Sequence, residues 1–288
     1  LHKEYRRQRQ MCIRDSPNYG KIPINREVIM LEFKNIIVRK PSKSMIEGIS
    51  TGMFSEDKPI YEDAINQHAE YVKTIESLGV EALVLEALEE YPDSCFVEDP
   101  AVVLKECAII TNSPRESRNG EKFEIEPAIK KYYSDDQIFY IEAPGTMEGG
   151  DVMVVDKHIY IGQSDRTNAE GAKQFSEIVE KYGYTTSTVP VTEGLHLKDF
   201  AIYLENNNML VSEKMNEEEA FKDFNRFVVP KEELYAINSL YINGTVLVPD
   251  GFPKTLEHIK SLGYPVKVVN TDEFKKIDGS LTCLSLRF

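Results

Sequence analysis

Residues 152–191, VMVVDKHIYIGQSDRTNAEGAKQFSEIVEKYGYTTSTVPV, predict two strands, a helix and a third strand in that order. The β-branched and aromatic residues of Val152–Val155 and His158–Ile161 are typical of strands joined by a tight turn. Asn168–Tyr182 has apolar residues at helical spacing, and Ser187–Val191 predicts the last strand. These four elements define a ββαβ module.

The same order of elements recurs in other parts of the chain. The further predicted modules are strands Ala101–Leu104 and Ala108–Thr111, helix Ile125–Tyr133 and strand Ile138–Glu142; strands Ala201–Leu204 and Met209–Ser212, helix Glu217–Phe224 and strand Arg226–Val229; and strands Ser239–Ile242 and Thr245–Val248, helix Lys254–Leu262 and strand Val266–Asn270. In the last of these, Asn243-Gly244 separates two strands and is a strong hairpin signal.

The first module lacks one hairpin strand. It consists of a strand at Phe33–Arg39, a helix at Tyr61–Leu78 and a strand at Glu81–Glu86, while the chain ends on a spare strand, Leu281–Phe288. Pairing the last strand with the first closes a ring of five modules and leaves fewer exposed strand edges. A module that recurs along the chain indicates a radial or solenoid architecture. An open α/β sheet is the alternative.

Composition limits the class of protein and its partners. The chain has 288 residues, 41% of them hydrophobic and 28% charged, with a formal net charge of −14. This acidic balance argues against nucleic acid as a partner, and no apolar run is long enough for a membrane span. The cysteines are widely spaced, which argues against a disulfide framework or a structural zinc site. We expect a cytoplasmic protein, since no secretory signal is recognisable.

Residues 1–29 differ from the rest of the sequence. They contain seven Lys and Arg against three acidic residues, without a clear helical or strand period. We interpret them as a disordered or non-native extension and place a single catalytic α/β domain at 30–288. Deleting residues 1–29 is expected to leave activity intact.

Three polar clusters precede the first hairpin strand of successive modules. They contain Glu98-Asp99, Glu148 and His196, with 49 positions from Asp99 to Glu148 and 48 from Glu148 to His196. In a closed ring, equivalent positions converge on the axis, so these side chains should meet there. Cys283, in the returning strand, joins the same end.

This combination of residue types points to covalent catalysis on a cationic substrate. A cysteine thiolate is the nucleophile, a histidine transfers protons, and a carboxylate orients the histidine. Further carboxylates would bind a positive group, and Arg118 and Arg166, each between a hairpin and a helix, could clamp a carboxylate. Taken singly, Cys283 also suits a core position and the arginines suit exposed loops.

Five ordered segments resemble dimethylarginine dimethylaminohydrolases of the bacterial type. They are PDSCFVEDPAVV (92–103), IEAPGTMEGGDVMVV (141–155), IGQSDRTNAEGA (161–172), GLHLKDF (194–200) and IDGSLTCLSLRF (277–288). The resemblance runs from about Phe33 to Phe288. It implies the fold of the guanidine-group-modifying superfamily, a five-bladed pseudo-symmetric α/β propeller of ββαβ modules known as the pentein fold. This fold agrees with the ring predicted from the repeats.

The resemblance implies hydrolysis of dimethylarginine or monomethylarginine to citrulline, with release of dimethylamine or methylamine. Cys283 would be the nucleophile, His196 the general acid and base, and Glu148 the triad carboxylate. The implied substrate-binding residues are Asp99 with Glu98 for the guanidinium, Asp93 for the amino end, Arg118 and Arg166 for the carboxylate, the backbone near Ile49 on a lid at 48–56, the backbone near Ile277, and Asp278. No metal or organic cofactor is expected, and a homodimer is compatible with the resemblance.

Two positions depart from the patterns of related enzymes. Arginine deiminases typically carry His-x-Asp where this chain has His196-Leu-Lys198, which should weaken the binding of unmethylated arginine. Asn112 stands where relatives often have Arg, with little expected effect because Arg118 remains. The alternatives are an arginine deiminase or another guanidine-modifying hydrolase, and a non-catalytic protein that binds cationic amino acids.

Overall fold

Fifteen strands form five separate three-stranded sheets within residues 32–288, the part of the chain that the computed structural model describes. The predicted extension at 1–29 lies outside the described residues. In every sheet the middle strand pairs antiparallel with one neighbour and parallel with the other. Antiparallel pairs suit short turns and parallel pairs need crossovers, so this pairing is what a ββαβ module requires.

The five sheets in spatial order are β15 (Leu286–Arg287), β1 (Asn35–Arg39) and β2 (Glu81–Leu85); β3 (Ala101–Val103), β4 (Ala108–Ile110) and β5 (Ile138–Tyr140); β6 (Val152–Val155), β7 (His158–Gln163) and β8 (Thr185–Pro190); β9 (Ala201–Tyr203), β10 (Asn208–Val211) and β11 (Asn225–Val228); and β12 (Leu240–Ile242), β13 (Thr245–Pro249) and β14 (Val266–Val269). The α-helices are α1 (Tyr61–Glu76), α2 (Glu116–Asn119), α3 (Glu121–Ile129), α4 (Ala169–Val179), α5 (Pro253–Ser261) and α6 (Asp272–Lys275).

The last strand completes the first module, as the sequence predicted. β15 pairs antiparallel with β1, with Ile36 opposite Arg287 and Ile37 opposite Leu286. The carbonyl oxygen of Phe288 also accepts hydrogen bonds from the N–H groups of Lys34 and Asn35, at 2.9 and 2.8 Å. The two ends of the described chain therefore lie in one sheet.

The core consists of five hydrophobic clusters, each shared by neighbouring modules. One contains Ile109 of the second module with Ile159 and Phe175 of the third. The cluster that closes the cycle packs Ile242 of the fifth module against Ile36 of the first. Similar clusters join the remaining neighbours. Because every module packs against the next and the fifth packs against the first, the predicted five-module ring is confirmed.

The predicted helix at Glu217–Phe224 is wrong. This segment forms two short 3₁₀ turns instead, Met215–Glu217 and Glu219–Phe221. Its buried apolar anchors, Met215 and Phe221, are six positions apart. That spacing does not place two side chains on one face of an α-helix.

The predicted strand at Leu281–Phe288 is too long. Only Leu286–Arg287 pairs as a strand, and Cys283 lies in the turn before it, with its N–H bonded to the carbonyl oxygen of Ser280 at 3.1 Å. Polar contacts inside this turn stop the chain from extending. In the second module, helix α3 starts at Glu121, four residues before the predicted start at Ile125.

The structure contains no helix in residues 32–288 with the length and apolarity needed to cross a bilayer.

Candidate active site

The loops that enter the first strand of each module meet at one end of the ring. Asp99 precedes β3, Glu148 precedes β6, His196 precedes β9 and Cys283 precedes β15. The first strands of neighbouring modules also contact one another, β15 with β3 and β6 with β9. Polar atoms of Asp99, Glu148 and His196 lie within 4.8 Å of one another, so the predicted convergence of these three side chains occurs.

His196 and Glu148 form a buried pair. The His196 Nε2 atom lies 2.7 Å from Glu148 Oε2, and Glu148 is completely buried. Ser113 Oγ and Arg166 Nη1 also donate to this carboxylate. Burial alone would raise the pKa of Glu148, but the hydrogen bond and charge of His196 and the nearby guanidinium groups hold it well below its usual range. Glu148 is therefore an ionised acceptor.

The surroundings of His196 favour its charged form. Burial lowers the pKa of this imidazole, but the carboxylates of Asp99, Glu148 and Asp151 outweigh burial and raise it to about 10. Asp151 also accepts the Leu197 N–H at 2.9 Å and so holds the turn that carries His196. At neutral pH the ring is an imidazolium, ready to donate a proton.

Two glycines allow the polar loops to approach closely. A Cβ atom on Gly150 would lie 2.5 Å from His196 Cγ, and one on Gly149 would lie 2.0 Å from the carbonyl oxygen of Glu98. Both distances are shorter than any real Cβ contact, so larger residues would separate the loops. The Gly149-Gly150 pair therefore serves close packing around His196.

Cys283 is buried beside this pair and keeps its proton. Burial raises the pKa of its thiol well above the usual value, and the carboxylates of Glu98, Asp199 and Asp99 raise it further. Its backbone carbonyl accepts the Glu98 N–H at 3.2 Å, which fastens the cysteine turn to the loop of the second module. The resting nucleophile is a neutral thiol that needs a nearby positive charge to ionise.

A small cavity opens onto Cys283 and His196. Its lining residues are Ile49, Asp93, Phe96, Asp99, Arg118, Arg166, Leu195, His196, Ile277, Asp278, Gly279 and Cys283. All the predicted site residues except Glu98 and Glu148 line this cavity. Glu148 lies behind His196, as a triad carboxylate requires.

The structure places Glu98 away from the cavity wall, which differs from its implied contact with a guanidinium. Its carboxylate accepts hydrogen bonds from Lys198 at 2.6 Å and from Arg287 at 2.8 Å. The Thr282 hydroxyl donates to it at 2.8 Å. Burial raises the pKa of Glu98, but these two cations lower it by more. Glu98 therefore anchors the cysteine turn, and its neighbour Asp99 faces the cavity.

The two arginines are engaged to different extents. Arg118 donates to Asp99 at 2.5 Å and to both oxygens of Glu121, which leaves few of its N–H groups free. The Nε atom of Arg166 is buried without a partner among the residues that the structure describes. A buried guanidinium with an unused donor suits an incoming carboxylate. In this state of the molecule, Arg166 is better prepared than Arg118 to bind one.

The predicted lid at 48–56 contacts the cavity through its backbone. The Ile49 N–H donates to Asp93 Oδ1 at 3.0 Å, and the Thr51 hydroxyl donates to Asp278 Oδ2 at 2.8 Å. Burial raises the pKa of Asp93. The other oxygen of Asp278 is buried without a partner in the described part of the chain. The acceptors Asp93 and Asp278 thus hold this segment against the cavity.

The sequence interpretation missed Asn238. Asn238 precedes β12 in the fifth module and is 2% exposed, so it completes the set of five inner loops. Its amide carries no charge, and its neighbours in the sequence form no polar cluster, so the sequence pattern did not indicate a functional role. The position in the repeat was the signal that could have found it.

Asp99, Glu148 and His196 form a compact cluster in which the Nε2 atom of His196 bonds Glu148 at 2.7 Å. The arrangement fits proton transfer by His196.

A family model and several known proteins match this chain. The model of a family described as N,N dimethylarginine dimethylhydrolase, eukaryotic, matches residues 38–217. The N(G),N(G)-dimethylarginine dimethylaminohydrolase of Pseudomonas aeruginosa is 44% identical over 256 residues, covering 89% of this chain and 100% of that protein. The enzyme of the same name from Streptomyces coelicolor is 33% identical over 254 residues, covering 88% and 96%.

Solved structures show the same relation. The Pseudomonas aeruginosa enzyme complexed with citrulline has a TM-score of 0.87 at 43% identity and covers 90% of this chain and 100% of that one. The N-terminal domain of ArgZ, covalently bound to a reaction intermediate, has a TM-score of 0.76 at 16% identity and covers 89% and 97%, which shows a shared fold. The family model covers most of the chain, and both curated relatives match over nearly their full length. The chain therefore belongs to the dimethylarginine dimethylaminohydrolase family.

Proposed function

We propose that the protein hydrolyses Nω,Nω-dimethyl-L-arginine and Nω-methyl-L-arginine to L-citrulline, releasing dimethylamine or methylamine. The observation that carries this proposal is a cavity lined by Cys283, His196 and the carboxylate of Asp99, with Arg166 on its wall. Such a cavity offers a nucleophile, a proton donor and charge complements for both ends of a methylated arginine. Relatives named for this reaction support the assignment.

Charge complementarity orients the substrate. The carboxylate of Asp99 binds the guanidinium and places its central carbon near Cys283, while Asp93 binds the amino group. Arg166, with its unused Nε–H, binds the substrate carboxylate. Ile49 and Ile277 contribute backbone contacts, and Asp278 closes the lid through Thr51. Arg118 holds Asp99 in place through a hydrogen bond. Its remaining N–H binds the carboxylate of the substrate.

The first half of the reaction forms a covalent intermediate. The positive guanidinium favours ionisation of Cys283, whose proton passes to solvent, because an opposite charge nearby stabilises the thiolate. The sulfur attacks the guanidinium carbon and forms a C–S bond. His196, protonated and bonded to Glu148, gives its proton to the departing nitrogen as the C–N bond breaks. Dimethylamine leaves, and an S-alkylthiouronium remains on Cys283.

The second half releases citrulline. His196 is now neutral and takes a proton from an attacking water molecule, whose oxygen bonds the same carbon. The C–S bond then breaks, the sulfur of Cys283 leaves with the electron pair and takes up the remaining hydroxyl proton, and the carbonyl group of citrulline forms. Glu148 stabilises the imidazolium that forms again, as the carboxylate of a triad does. Apart from the water molecule, residues of the chain supply every group that acts on the substrate in these steps. We therefore keep the expectation that the reaction needs no metal or organic cofactor.

Lys198 bears on the choice between methylated and unmethylated substrates. Its ammonium group pairs with Glu98 at 2.6 Å, so no acidic side chain stands at that position to grip a second guanidinium nitrogen. We expect faster citrulline formation from dimethylarginine than from arginine, measured as kcat/KM on each. Greater efficiency on arginine, with release of ammonia, would instead identify an arginine deiminase. Tight binding without turnover and with an unreactive Cys283 would identify a binding protein.

Assembly and location are also part of the proposal. The thiols of Cys95, Cys107 and Cys283 are free in the described residues, which suits a reducing cytoplasm. A homodimer remains a prediction, which sedimentation of the purified protein tests. Neither nucleic acid nor membrane is expected as a partner of this acidic protein.

A further inference from the structure

Asn238 connects the two catalytic turns. Its Nδ2 atom lies 3.3 Å from Asp199 Oδ1 and 3.8 Å from Cys283 Sγ. Its Oδ1 atom accepts the Thr282 N–H at 3.1 Å. Asp199 in turn accepts the backbone N–H of His196 at 3.1 Å through its other oxygen. One amide side chain therefore bridges the histidine turn and the cysteine turn.

The contact between the Asn238 amide and the sulfur of Cys283 matters because of the other groups nearby. The carboxylates act against ionisation of the thiol, and the cations are already paired with carboxylates. The charged and titratable groups that face it are the carboxylates Glu98, Asp199 and Asp99, the cations Arg287 and His196, and the phenols Tyr71 and Tyr235. Arg287 is committed to Glu98 at 2.8 Å. Within residues 32–288, the Asn238 amide is the one hydrogen-bond donor within reach of Sγ.

Asn238 is also held in place by its own contacts. The residue is 2% exposed, and its backbone carbonyl accepts the Ser280 hydroxyl at 3.2 Å. Every polar group of the side chain is used, so it is fixed in one orientation. A fixed neutral donor can stabilise a thiolate without adding a cation that would repel a cationic substrate.

We propose that Asn238 is a further catalytic residue, whose amide N–H stabilises the sulfur of Cys283 as attacking and as leaving thiolate. Its Oδ1 atom holds the Thr282 N–H and thereby sets the direction of the sulfur. This inference rests on the proposed function for the role of Cys283, and it adds a specific donor to the carboxylate-rich site.

The test replaces Asn238 by neutral side chains that have no hydrogen-bond donor, Asn238→Leu and Asn238→Ala. The first readout is the rate constant for alkylation of Cys283 by iodoacetamide at a fixed, mildly alkaline pH. We expect this rate to fall about tenfold in both variants, as it would for a rise of one unit in the thiol pKa. The second readout is turnover, where we expect kcat to fall roughly ten- to a hundredfold, the range for a lost hydrogen bond to a charged group. KM should change little.

Asn208→Leu is the matched control. Asn208 is a buried asparagine in β10 that donates to the Tyr264 hydroxyl at 2.8 Å, away from the catalytic turns. It should lose thermal stability while keeping the alkylation rate and kcat. If Asn238→Leu does not fold, Asn238→Ala decides. Alkylation rates equal to wild type in a folded Asn238 variant would overturn the inference.

The two proposals fail in different ways. If the wild-type protein forms citrulline and Asn238 variants alkylate normally, only the role of Asn238 is wrong. If the wild-type protein forms no citrulline from any methylated arginine, the proposed function is wrong, whatever the variants do.

Discussion

Cys283 and His196 are both protonated in the free protein. Burial raises the pKa of the thiol well above its usual value, so the resting sulfur is neutral. Burial acts in the opposite direction on His196, but the surrounding carboxylates raise its pKa to about 10 and keep it charged. In the proposed mechanism, the positive guanidinium of the substrate supplies the charge that the sulfur needs. Substrate binding would then create the nucleophile.

Alkylation of the free protein checks the state of the thiol. We expect iodoacetamide to modify Cys283 slowly at neutral pH and about tenfold faster for each unit of pH increase, because the thiolate is the reactive form. Cys95 and Cys107 are buried and do not line the cavity onto which Cys283 opens, so the reagent should not reach them. Peptide mapping by mass spectrometry identifies the modified residue. Rapid modification of Cys283 at neutral pH, with a plateau below pH 8, would contradict a raised pKa.

Arg166 joins substrate binding to the catalytic pair. It donates to both oxygens of Glu148, at 3.1 and 3.0 Å, and also lines the cavity. We expect Arg166→Ala to raise KM and to lower kcat, each roughly ten- to a hundredfold, because charge-assisted hydrogen bonds are lost at both places. Steady-state kinetics measure the two effects, with the exposed Arg115→Ala as control. A change in KM alone would show that Arg166 does not support Glu148.

Neighbouring residues show what the sequence could predict and what it could not. The repeat placed Asp99, Glu148, His196 and Cys283 at one end of the ring, and the structure brings their loops together. The repeat did not separate Glu98 from Asp99, whose side chains have different partners in the turn that precedes β3. Glu98 reaches the two cations, and Asp99 reaches the cavity. That choice depends on Lys198 and Arg287, which are distant in sequence.

The elements with strong periodicity were predicted well. β6 matches its predicted range, and the helix at Tyr61 begins where the sequence placed it. The errors fall where tertiary contacts override local pattern. The predicted helix at Glu217–Phe224 became two 3₁₀ turns, and the last predicted strand gave most of its length to the cysteine turn. The Tyr71 hydroxyl donates to Leu281 and lies 2.7 Å from Ser285 Oγ, which holds that turn out of the sheet.

The short strand β15 has a large effect on stability, because it closes the ring and carries Arg287. Deleting residues 286–288 removes the pairing with β1 and the buried Leu286, and it leaves Glu98 without one of its two cations. We expect a loss of about 5 kcal/mol, since burying a leucine contributes about 1.5–3 and breaking a buried ion pair costs about 3–5. Thermal unfolding followed by circular dichroism measures this loss. Arg287→Gln shows how much of it belongs to the ion cluster, and a truncated protein with the wild-type Tm would contradict the closure.

The five-module ring makes the site a property of the whole molecule. Its inner loops come from separate modules, and neighbouring modules share each hydrophobic cluster. No single module holds both the nucleophile and the histidine. Activity should therefore be lost together with the fold, in one transition.

The charge of His196 couples the stability of the molecule to pH. Its pKa is about 10 in the folded protein against 6.5 for the ordinary imidazole, so the folded state binds this proton more tightly. The stabilisation is fully present below pH 6.5 and is lost as pH rises to about 10. We expect the wild-type Tm to fall over this interval by several degrees more than that of His196→Ala, at about 2–4 °C per kcal/mol for a domain of this size. Parallel curves for the two proteins would show that His196 is not charged in the folded state.

Citrulline release from dimethylarginine by wild type and by Cys283→Ser tests the central claim most directly. We expect steady citrulline formation by wild type and none by the variant, which should still bind dimethylarginine in calorimetry with an affinity close to the wild-type KM. A hydroxyl in place of the thiol leaves the carboxylates and Arg166 of the cavity intact, so binding and chemistry separate. Undiminished turnover by Cys283→Ser would contradict covalent catalysis by this cysteine.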